Sequence, residues 1–376
     1  MNDKMIKTLH VGVVVMSVGA SAALVIRAPA ATAQAIPDAG SLLRQQQRSA
    51  PPAPLEDLPG VVPPETSRPA MKDASGKRIF VKGFRVVGTA APFPDAEYAD
   101  LLKGYSGREL TLAEMQEAAG LVARFYRERG YFLARAYVPK QEISDGVVVI
   151  QVVEGRIEGK ADGSGIVVKG DGVRLDPDRI RGVIAAAVEP GKPVRQDALE
   201  RGLLILNDLP GVGVRSGLEP GAEPGATRLT IEASEGPLAT GEFNADSYGN
   251  RYTGRLRANA GAYLNDPLGR GDILSLNATA STNAGMKYVR GAYQTPIGYD
   301  GLKLGVSVSR MTYRLGEELA SLQAGGHALT ADAALSYPIL RSRAANLLAQ
   351  TTYTHKILYN RANGETTSDK RTDAVA

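Results

Sequence analysis

The feature that most constrains the fold is an alternation of apolar and polar residues, with a period of two, across residues 238–376. In the segment 274–280, leucine and alanine alternate with serine, asparagine and threonine, and the segments 329–337 and 347–353 repeat the pattern. Successive side chains of a β-strand point to opposite faces, so each segment predicts a strand with one apolar and one polar face. Such segments, about 10 residues long and separated by turns, are typical of a membrane β-barrel.

The tyrosines and turns of the same region agree with a barrel in a membrane. Ten of the 15 tyrosines of the chain lie there, many near predicted strand ends, where membrane barrels carry aromatic girdles. Turn signals occur at 265–269 and 295–298. A soluble β-sandwich is the alternative, but the long uniform strands and their weak hydrophobicity favour the barrel.

The end of the sequence bears on whether this barrel closes. The pattern predicts seven full strands and the start of an eighth near Arg371. A closed barrel needs its last strand to pair with its first, because open strand edges are not tolerated in lipid. We therefore expect residues 238–376 to be the N-terminal part of a larger barrel in a C-terminally truncated fragment.

Residues 1–35 are typical of a secretory signal peptide. Two lysines precede an apolar run at 11–20, and small residues at 31–35 offer cleavage sites. A membrane anchor is the alternative, but Arg27 interrupts the apolar stretch. Elsewhere no stretch approaches the roughly 18–20 apolar residues of a spanning helix, so we expect an exported protein.

A short helix and a proline-rich linker follow the signal peptide. Residues 36–50 predict the helix, since Ser41 can cap it and its glutamines and arginines favour helical structure. Residues 51–76 predict an extended linker, because seven prolines between 51 and 70 prevent regular packing. The region is interpreted as a helix on a semi-rigid tether, with a disordered N-terminus as the alternative.

Residues 77–158 and 159–237 predict two copies of a small α+β domain of order β-α-α-β-β. In the first copy, strands are predicted at 79–88, 134–139 and 147–153, with helices at 95–102 and from 111 to 129. Thr111 and Glu114 predict a capping box at the start of the second helix. In the second copy, the strands are at 165–168, 212–218 and 227–233, with helices from 176 and at 196–207. The two copies form an internal repeat of supersecondary structure.

The composition excludes several classes of protein. The chain has no cysteine and only three histidines, which removes disulfide scaffolds and cysteine metal sites and makes a histidine-rich site untenable. The net charge of +4 comes from interspersed charges without a basic block, which gives little support for nucleic-acid binding. The glycine-rich turns lack the Lys-Ser/Thr of a P-loop, and no Gly-x-Ser-x-Gly elbow occurs. We expect no enzyme, nucleotide, metal or cofactor.

Eight short motifs follow one another along the two small domains and the first part of the barrel. They are YSG at 105–107, FYRERGY at 125–131, VPKQ at 138–141, VEGRI at 153–157, LNDLPG at 206–211, LEPG at 218–221, GNRYTG at 249–254 and NDPLGRGD at 265–272. In this order and spacing they resemble the transporter component of two-partner secretion in Gram-negative bacteria, the haemolysin secretion/activation family. That family belongs to the outer-membrane assembly-factor superfamily.

The resemblance implies a fold and a location. The fold is two periplasmic polypeptide-transport-associated (POTRA) domains followed by an antiparallel transmembrane β-barrel in the outer membrane. The helix at 36–50 then corresponds to the family's N-terminal helix, which plugs the pore at rest. The family also carries a lumenal loop with a Val-Arg-Gly-Phe/Tyr tip, and this sequence has no such motif.

Candidate site residues follow from the same comparison. An unfolded client can add a strand to an exposed sheet edge of a POTRA domain, with further contacts in the groove beside the second helix. The candidate client-binding residues are Tyr126, Tyr131, Tyr137, Val138 and Gln141, for which packing in the core is the alternative. The structural motif residues are Gly107, Gly130, Pro139, Gly155, Pro210 and Gly211. In the barrel, Arg290 and Lys303 are candidates for the lumen, with a solvated charge as the alternative.

The implied partner is a large β-helical exoprotein, such as a haemolysin, an adhesin or a contact-dependent toxin. Outer-membrane lipid and the barrel-assembly machinery, which would insert the barrel, are further expected partners. The alternatives are an outer-membrane protein assembly factor of the same superfamily, a non-functional truncated fragment and a passive porin. A porin would not need the two periplasmic domains, and an assembly factor usually has more of them.

Overall fold

The computed structural model describes residues 36–48, 77–88, 93–143, 145–159, 163–170, 172–223 and 225–376. The predicted signal peptide (1–35) and linker (51–76) lie outside these residues. The chain divides into two compact units. One contains the N-terminal helix α1 (Ala39–Arg48) and a large antiparallel sheet, and the other contains two small α+β domains.

The first small domain has the predicted order of elements, with two differences: the predicted first strand is divided, and an additional short strand lies between the two helices. Its elements are β1 (Ile79–Val81), β2 (Gly83–Val87), α2 (Asp95–Leu101), β3 (Arg108–Leu110), α3 (Leu112–Glu128), β4 (Arg135–Tyr137) and β5 (Val147–Val153). The predicted first strand is two strands, because β1 pairs with β3 while β2 pairs with β5. The break falls at Lys82, whose N–H donates to the carbonyl of Gly146 at 2.7 Å.

The core of this domain lies between the helices and a three-stranded sheet. The strand order is β2-β5-β4, with β2 parallel and β4 antiparallel to β5. The predicted capping box is present: the Thr111 hydroxyl accepts from the Glu114 N–H, and the Glu114 carboxylate accepts from the Thr111 N–H. Alternate residues of β5 are buried beneath α3, as the period of two requires. The largest buried side chains include Leu102, Leu110, Tyr126 and Ile150.

The second small domain repeats this topology. Its elements are β6 (Arg156–Ile157), β7 (Ile166–Lys169), α4 (Pro177–Val188), α5 (Gln196–Asn207), β8 (Val212–Pro220) and β9 (Ala226–Glu235). β7 is parallel to β9 and β8 is antiparallel to it, as β2 and β4 are to β5. The Asp176 carboxylate caps α4, and Pro177 occupies its first position. The predicted internal repeat is therefore confirmed.

The large sheet has eight antiparallel strands in sequence order. They are β10 (Ala239–Asp246), β11 (Arg257–Asn265), β12 (Ile273–Ser281), β13 (Met286–Ile297), β14 (Leu302–Arg314), β15 (Gly325–Arg341), β16 (Asn346–Ala362) and β17 (Glu365–Val375). In the pairing order of the described strands, β10 and β17 are the two ends. The eighth strand begins at Glu365, before the predicted start near Arg371, because the turn at 363–364 places 365 in register with Ala362.

The two faces of the large sheet differ as the alternation predicts. On one face, large apolar side chains are exposed, among them Phe243, Leu276 and Val308, which are 54–75% exposed. On the other face, here called the inner face, polar side chains bond across strands: Asn259 donates to Asn244, and Thr279 donates to Asn259. An apolar face toward lipid and a polar face toward a lumen define a membrane barrel. The predicted fold class, two small α+β domains followed by an antiparallel barrel-type sheet, is confirmed.

The helices of the described residues are short or amphipathic. None of the helices described is long and apolar enough to cross a membrane.

Candidate functional site

Helix α1 begins with a compact cap. The Asp38 carboxylate accepts from the Ser41 N–H at 2.7 Å, and the Ser41 hydroxyl accepts from the Asp38 N–H at 3.0 Å. Burial alone would raise the pKa of Asp38, but the Ser41 hydrogen bonds and the charges of Arg44 and Lys370 outweigh burial, so this pKa lies below its ordinary value. A carboxylate that stays ionised at the first turn also suits the helix dipole.

The apolar side of α1 packs on the inner face of the large sheet. Ala39, Leu42 and Leu43 are at most 5% exposed. Their cluster includes Met286, Tyr288, Met311, Tyr313, Leu315, Ala324 and Ala328. Burial of a leucine contributes about 1.5–3 kcal/mol, so these two leucines provide a large part of the attachment.

Polar contacts fix the position of α1 at both of its ends. At the first turn, the Ala39 N–H donates to Oδ1 of Asn360 at 3.0 Å, and the Tyr313 hydroxyl donates to the same oxygen at 2.7 Å. Near the last turn, Gln45 donates to the carbonyl of Tyr248 at 3.0 Å. These contacts join residues far apart in the sequence, so they specify one seat for the helix.

Gln46 connects α1 to an ion pair on the sheet whose arginine is buried. Its Nε2 donates to the Thr279 hydroxyl at 2.9 Å, and its Oε1 accepts from the Arg257 guanidinium at 3.2 Å. Nε of Arg257 also donates to the Asp246 carboxylate at 2.8 Å, and the Arg257 side chain is only 3% exposed. A buried arginine needs such partners, so Gln46 completes its surroundings.

The two predicted lumen residues share the face that α1 occupies. Arg290 lies opposite Asn277 and Ser309 on the neighbouring strands, and Lys303 lies opposite Ser336. These neighbours are polar residues of the alternating apolar and polar pattern. The placement agrees with the predicted orientation, and the roles of both residues in a lumen remain predictions.

Tyr126 lies in the core of the first small domain. Its side chain is fully buried, and its hydroxyl is 2.5 Å from that of Tyr98. Its ring contacts Phe93, Phe125 and Tyr131 with centroid distances of 5.1–6.0 Å. A client cannot reach this side chain in the folded domain, so the core alternative is the one that fits the structure.

Arg129 and Gly130 end α3 in a specific way. The Arg129 guanidinium lies 3.5 Å from the ring centroid of Phe125 and donates to the Glu97 carboxylate at 2.7 Å. Gly130 then has a φ of +94°, which a residue with a Cβ adopts only at a cost. The FYRERGY motif therefore supplies an aromatic core, a cation over it and a helix stop.

The residues after Gly130 form a junction between the two small domains. The Gly130 carbonyl accepts from the Gln196 N–H at 2.8 Å. Arg195 lies over the Tyr131 ring at 5.6 Å and hydrogen-bonds Asp197, which holds the pKa of that carboxyl below its ordinary value. Phe132 and Leu133 pack against the core of the second domain. Tyr131 is thus half-buried at this junction.

Gln141 completes the hydrogen bonding of β5 where β4 ends. Tyr137 pairs with Gln151, so Pro139 would lie opposite Val149 if the strand continued, but proline has no N–H to donate. Instead, Nε2 of Gln141 donates to the Val149 carbonyl at 2.9 Å and Oε1 accepts from the Val149 N–H at 2.8 Å. The VPKQ motif thus ends one strand and closes the edge of the next.

The structure does not bring the five predicted client-binding residues together on one surface. Tyr126 and Val138 are buried, so their side chains are not open to direct contact in the folded domain, and a client-binding role for them stays a prediction. Gln141 uses both ends of its carboxamide within the domain. Tyr131 lies at the junction, and Tyr137 is 50% exposed. Tyr137 is therefore the member of the set that a partner can reach directly.

We expect Gln141→Leu to expose the edge of β5. The variant removes both bonds to Val149, and an unpaired backbone group costs about 1–3 kcal/mol. Hydrogen exchange of the Val149 amide should speed up by at least tenfold. Glu142→Leu, at the exposed neighbouring position, should leave it unchanged. Slow exchange at Val149 in both variants would show that Gln141 does not protect this amide.

The remaining motif residues lie at turns. Gly107 and Gly155 have φ values of +76° and +77°, and Gly211 has +69°. Pro210 and Gly211 lie in the turn between α5, which ends at Asn207, and β8, which begins at Val212. These positions agree with the structural roles predicted for them.

Two family models match the chain over consecutive regions. Residues 79–155 match the POTRA domain, ShlB-type, and residues 225–374 match the haemolysin secretion/activation protein ShlB/FhaC/HecB. Together the two matches cover more than half of the chain. The chain belongs to the haemolysin secretion/activation family. The predicted resemblance and the predicted location at the outer membrane are therefore confirmed.

Individual members of the family match over much of the chain. The heme/hemopexin transporter protein HuxB of Haemophilus influenzae (strain 86-028NP) is 30% identical over 275 residues, 73% of this chain and 47% of the relative. The hemolysin transporter protein ShlB of Serratia marcescens is 31% identical over 181 residues, 47% of this chain and 30% of the relative. The chain thus spans about half the length of HuxB and about a third of the length of ShlB.

A solved structure supports the fold. CdiB from Escherichia coli matches with a TM-score of 0.67 at 22% identity, covering 91% of this chain and 64% of that chain. At this identity the likeness concerns the fold alone.

The family motif at 265–272 forms a tight turn with two buried carboxyl groups. It lies at the same end of the sheet as Ala239, where the chain enters from the small domains. The Asp266 carboxylate accepts from the Gly271 N–H at 2.6 Å, while Asp272 accepts from the Leu268 N–H and the Tyr293 hydroxyl. Burial, together with the nearby Asp272, raises the pKa of Asp266.

We expect Asp266→Asn to remove a pH dependence from this turn. Because the folded-state pKa of Asp266 is raised, its stabilising contribution is fully present below the ordinary value of 3.8 and is lost as pH rises through the folded value. The measured quantity is the protection factor of the Gly271 amide, which is its hydrogen-exchange rate corrected for intrinsic exchange. In the variant, this protection factor should no longer change with pH. Asp300→Asn, at an exposed aspartate of the turn between β13 and β14, should keep the dependence. Identical pH profiles for parent and Asp266→Asn would contradict this.

Sequence reasoning missed several residues of these sites. Asn360 and Arg257 anchor α1 but lie more than 200 residues away from it. Arg195 covers Tyr131 from the other small domain. Gln46 lies within the predicted helix. The amphipathic pattern of α1 could have identified Leu42 and Leu43 as its buried side. No local pattern could have identified their partners.

Proposed function

We propose that this chain belongs to an outer-membrane transporter that binds an unfolded exported partner in the periplasm and secretes it through a β-barrel pore. The observation that carries the proposal is α1 seated on the polar inner face of the sheet. A helix on that face occupies space that a lumen needs. We therefore assign α1 the role of a plug, which leaves its seat before the partner passes.

The inner face provides the surface for transport. Its serines, threonines, asparagines and charged groups can exchange hydrogen bonds with a hydrated chain. Arg290 and Lys303 lie on the inner face and would keep the transport path hydrated once α1 has left. The opposite, apolar face would contact outer-membrane lipid, and the barrel-assembly machinery would insert the sheet.

The two POTRA domains would capture the partner before transport. An extended chain binds to a sheet edge through main-chain hydrogen bonds, which need no particular sequence. Tyr137 offers an exposed aromatic side chain beside such an edge. The junction around Tyr131 and Arg195 would hold the two domains in a fixed relation, so that both can bind one segment.

The partner is proposed to be a large β-helical exoprotein. Curated relatives are named for heme/hemopexin and hemolysin transport, and we infer cargo of the same general class. The proposal assigns the chain no catalytic step, nucleotide, nucleic acid or cofactor.

Deletion of the gene tests this proposal against its alternatives. We expect one large exoprotein to disappear from the culture medium while the levels of other outer-membrane barrels stay the same. A fall in many barrels would identify an assembly factor instead. No change in either fraction would indicate a chain without a transport function, and complementation with the intact gene should restore the lost exoprotein.

A further inference from the structure

The outer face of the large sheet, which lies opposite the inner face, carries basic residues at one end. On β13 and β14, exposed positions alternate with buried ones, and the exposed positions include Val289, Val306 and Val308. The same rows continue with Lys287 on β13 and Arg310 on β14, which are also exposed. Because alternate residues of a strand share a face, both basic side chains belong to the outer face.

The strand register brings these two basic residues together with two further polar side chains. Thr312 of β14 lies opposite Lys287 on β13 and opposite His327 on β15. Arg310 is the next residue of β14 on the same face, so it is a diagonal neighbour of both Lys287 and His327, about 7–8 Å away from each. Long side chains at such separations can reach one common ligand. These four residues, Lys287, Arg310, Thr312 and His327, are here called the basic patch.

No acidic residue neutralises the basic patch on its own three strands. The outer-face positions of β13, β14 and β15 contain no aspartate or glutamate. Within the part of the chain that the structure describes, no hydrogen bond or ion pair engages the side chain of Lys287 or of Arg310. Like charges on neighbouring strands repel each other. A bound anion would therefore stabilise this part of the sheet.

The basic patch lies at the cell-surface end of the sheet. The chain enters the sheet from the periplasmic domains at Ala239, and the strands then run alternately away from that end and back to it. The patch is close to the start of β13 and the end of β14, so it lies at the opposite end. Arg310 is flanked on the neighbouring strands by Val289 and Leu329, which are exposed and apolar. The patch therefore lies where the apolar band of the outer face ends, at the level of lipid head groups.

We propose that the basic patch binds a phosphate group of an anionic glycolipid in the outer leaflet of the outer membrane. The inference rests on the proposed function in one respect, which is that the outer face contacts lipid. Lysine and arginine bind phosphate through charge-assisted hydrogen bonds. The Thr312 hydroxyl and the ring of His327, which stacks on Tyr359 at 5.1 Å, add further donors. The apolar residues beside Arg310 would contact the acyl chains of the same molecule, which favours a lipid over free phosphate.

Binding of fluorescent lipid A to the intact protein, purified in detergent, tests the proposal. The measured quantity is the dissociation constant of lipid A that carries both of its phosphates. We expect the double variant Lys287→Gln, Arg310→Gln to weaken this binding about tenfold, since each basic residue near an anionic lipid surface contributes to the attraction. Lipid A from which both phosphates have been removed should bind the parent protein equally weakly. Inorganic phosphate at the same concentration should not displace the intact lipid.

Arg371→Gln is the matched control, because it removes one exposed cation from the outer face outside the patch. Arg371 lies opposite Ile357 on β16, and its neighbours on the same face of β17 are Asp369 and Asp373, whose carboxylates compensate its charge. This variant should bind lipid A with the affinity of the parent. The comparison of the two lipids uses the parent protein alone, so it tests the proposal independently of how the variants fold.

The outcomes separate this proposal from the proposed function. Equal affinities of the parent and the double variant for lipid A would overturn the basic patch, and so would equal binding of the two lipids. Displacement of lipid A by inorganic phosphate would overturn the lipid and identify a site for free phosphate instead. None of these results changes the transporter assignment, which fails only if cells with the parent protein secrete no exoprotein, whatever the affinity for lipid A.

Discussion

Replacing Leu42 and Leu43 by aspartate should release α1 from the inner face of the sheet. Both side chains are at most 5% exposed, and loss of a buried leucine side chain costs about 2–5 kcal/mol. The new carboxylates would in addition enter the apolar cluster that contains Met286 and Met311, where burial penalises their charge. The remaining polar contacts of α1 are few, so we expect the docked state to become the minor one.

Labelling of a single cysteine measures this release. The chain contains no cysteine, so Ala39→Cys, at a fully buried position, provides one thiol under α1. In this background, maleimide labelling should be at least tenfold faster with the two aspartates than without them. Arg44→Gln, on the exposed side of α1, should label like the parent. Equally slow labelling in the aspartate variant would show that the leucines do not hold the helix.

Gly155→Ala should disrupt the junction of the two POTRA domains. Gly155 has a φ of +77°, and a Cβ built there would lie 2.5 Å from Cβ of Leu133 and 3.1 Å from its carbonyl oxygen. The positive φ costs about 1–2 kcal/mol, and overpacking adds about 1–3 kcal/mol. Because Leu133 packs against the second core, its displacement should loosen that contact.

Gly107→Ala is the matched control for this prediction. Gly107 has nearly the same φ, +76°, but a Cβ there meets nothing within 4 Å, so only the backbone cost of about 1–2 kcal/mol remains. The Val194 amide, which donates to the Gly155 carbonyl at 3.1 Å, reports on the junction. It should exchange much faster in Gly155→Ala and almost unchanged in Gly107→Ala. Similar exchange in the two variants would contradict the steric account.

Local signals predicted much of the fold. The period of two in 238–376 gave the strands of the large sheet, because one apolar and one polar face leave a direct record in the sequence. The capping box at Thr111 and Glu114 and the helix at 196–207 were also correct, since caps and helical periodicity act within a few residues. The strand boundaries at Lys82 and Glu365 differed from the prediction because they depend on which distant strand is the partner.

Side-chain roles were harder to predict for the same physical reason. Tyr126 and Gln141 belong to motifs of the family, and a motif does not say whether a side chain faces a partner or its own core. Tyr126 is buried by aromatic rings from α2, α3 and the segments beside them. Gln141 acts on Val149 because Pro139 cannot donate, which becomes visible only when the strand register is known.

The position at which α1 docks on the inner face of the sheet was the part of the site that could not be predicted from the sequence. The helix itself was predicted from its cap and composition. Its partners lie on six of the eight strands or the loops between them, and Asn360 is 321 residues from Ala39. Contacts at this separation are set by the assembly of the whole sheet rather than by local propensity.

A cross-link that locks α1 in its seat tests the central claim most directly. A Cβ added at Gly40 would lie close to the Leu358 side chain, 3.6 Å from its Cδ1, so cysteines at these two positions can be joined by a short bismaleimide that carries a reducible disulfide in its spacer. In the secreting protein that carries these residues, we predict that the locked form exports no partner and that reduction of the disulfide restores export. The single variant Gly40→Cys should export normally throughout. Export by the fully locked protein at the rate of the unlocked one would contradict a path along the inner face that α1 closes.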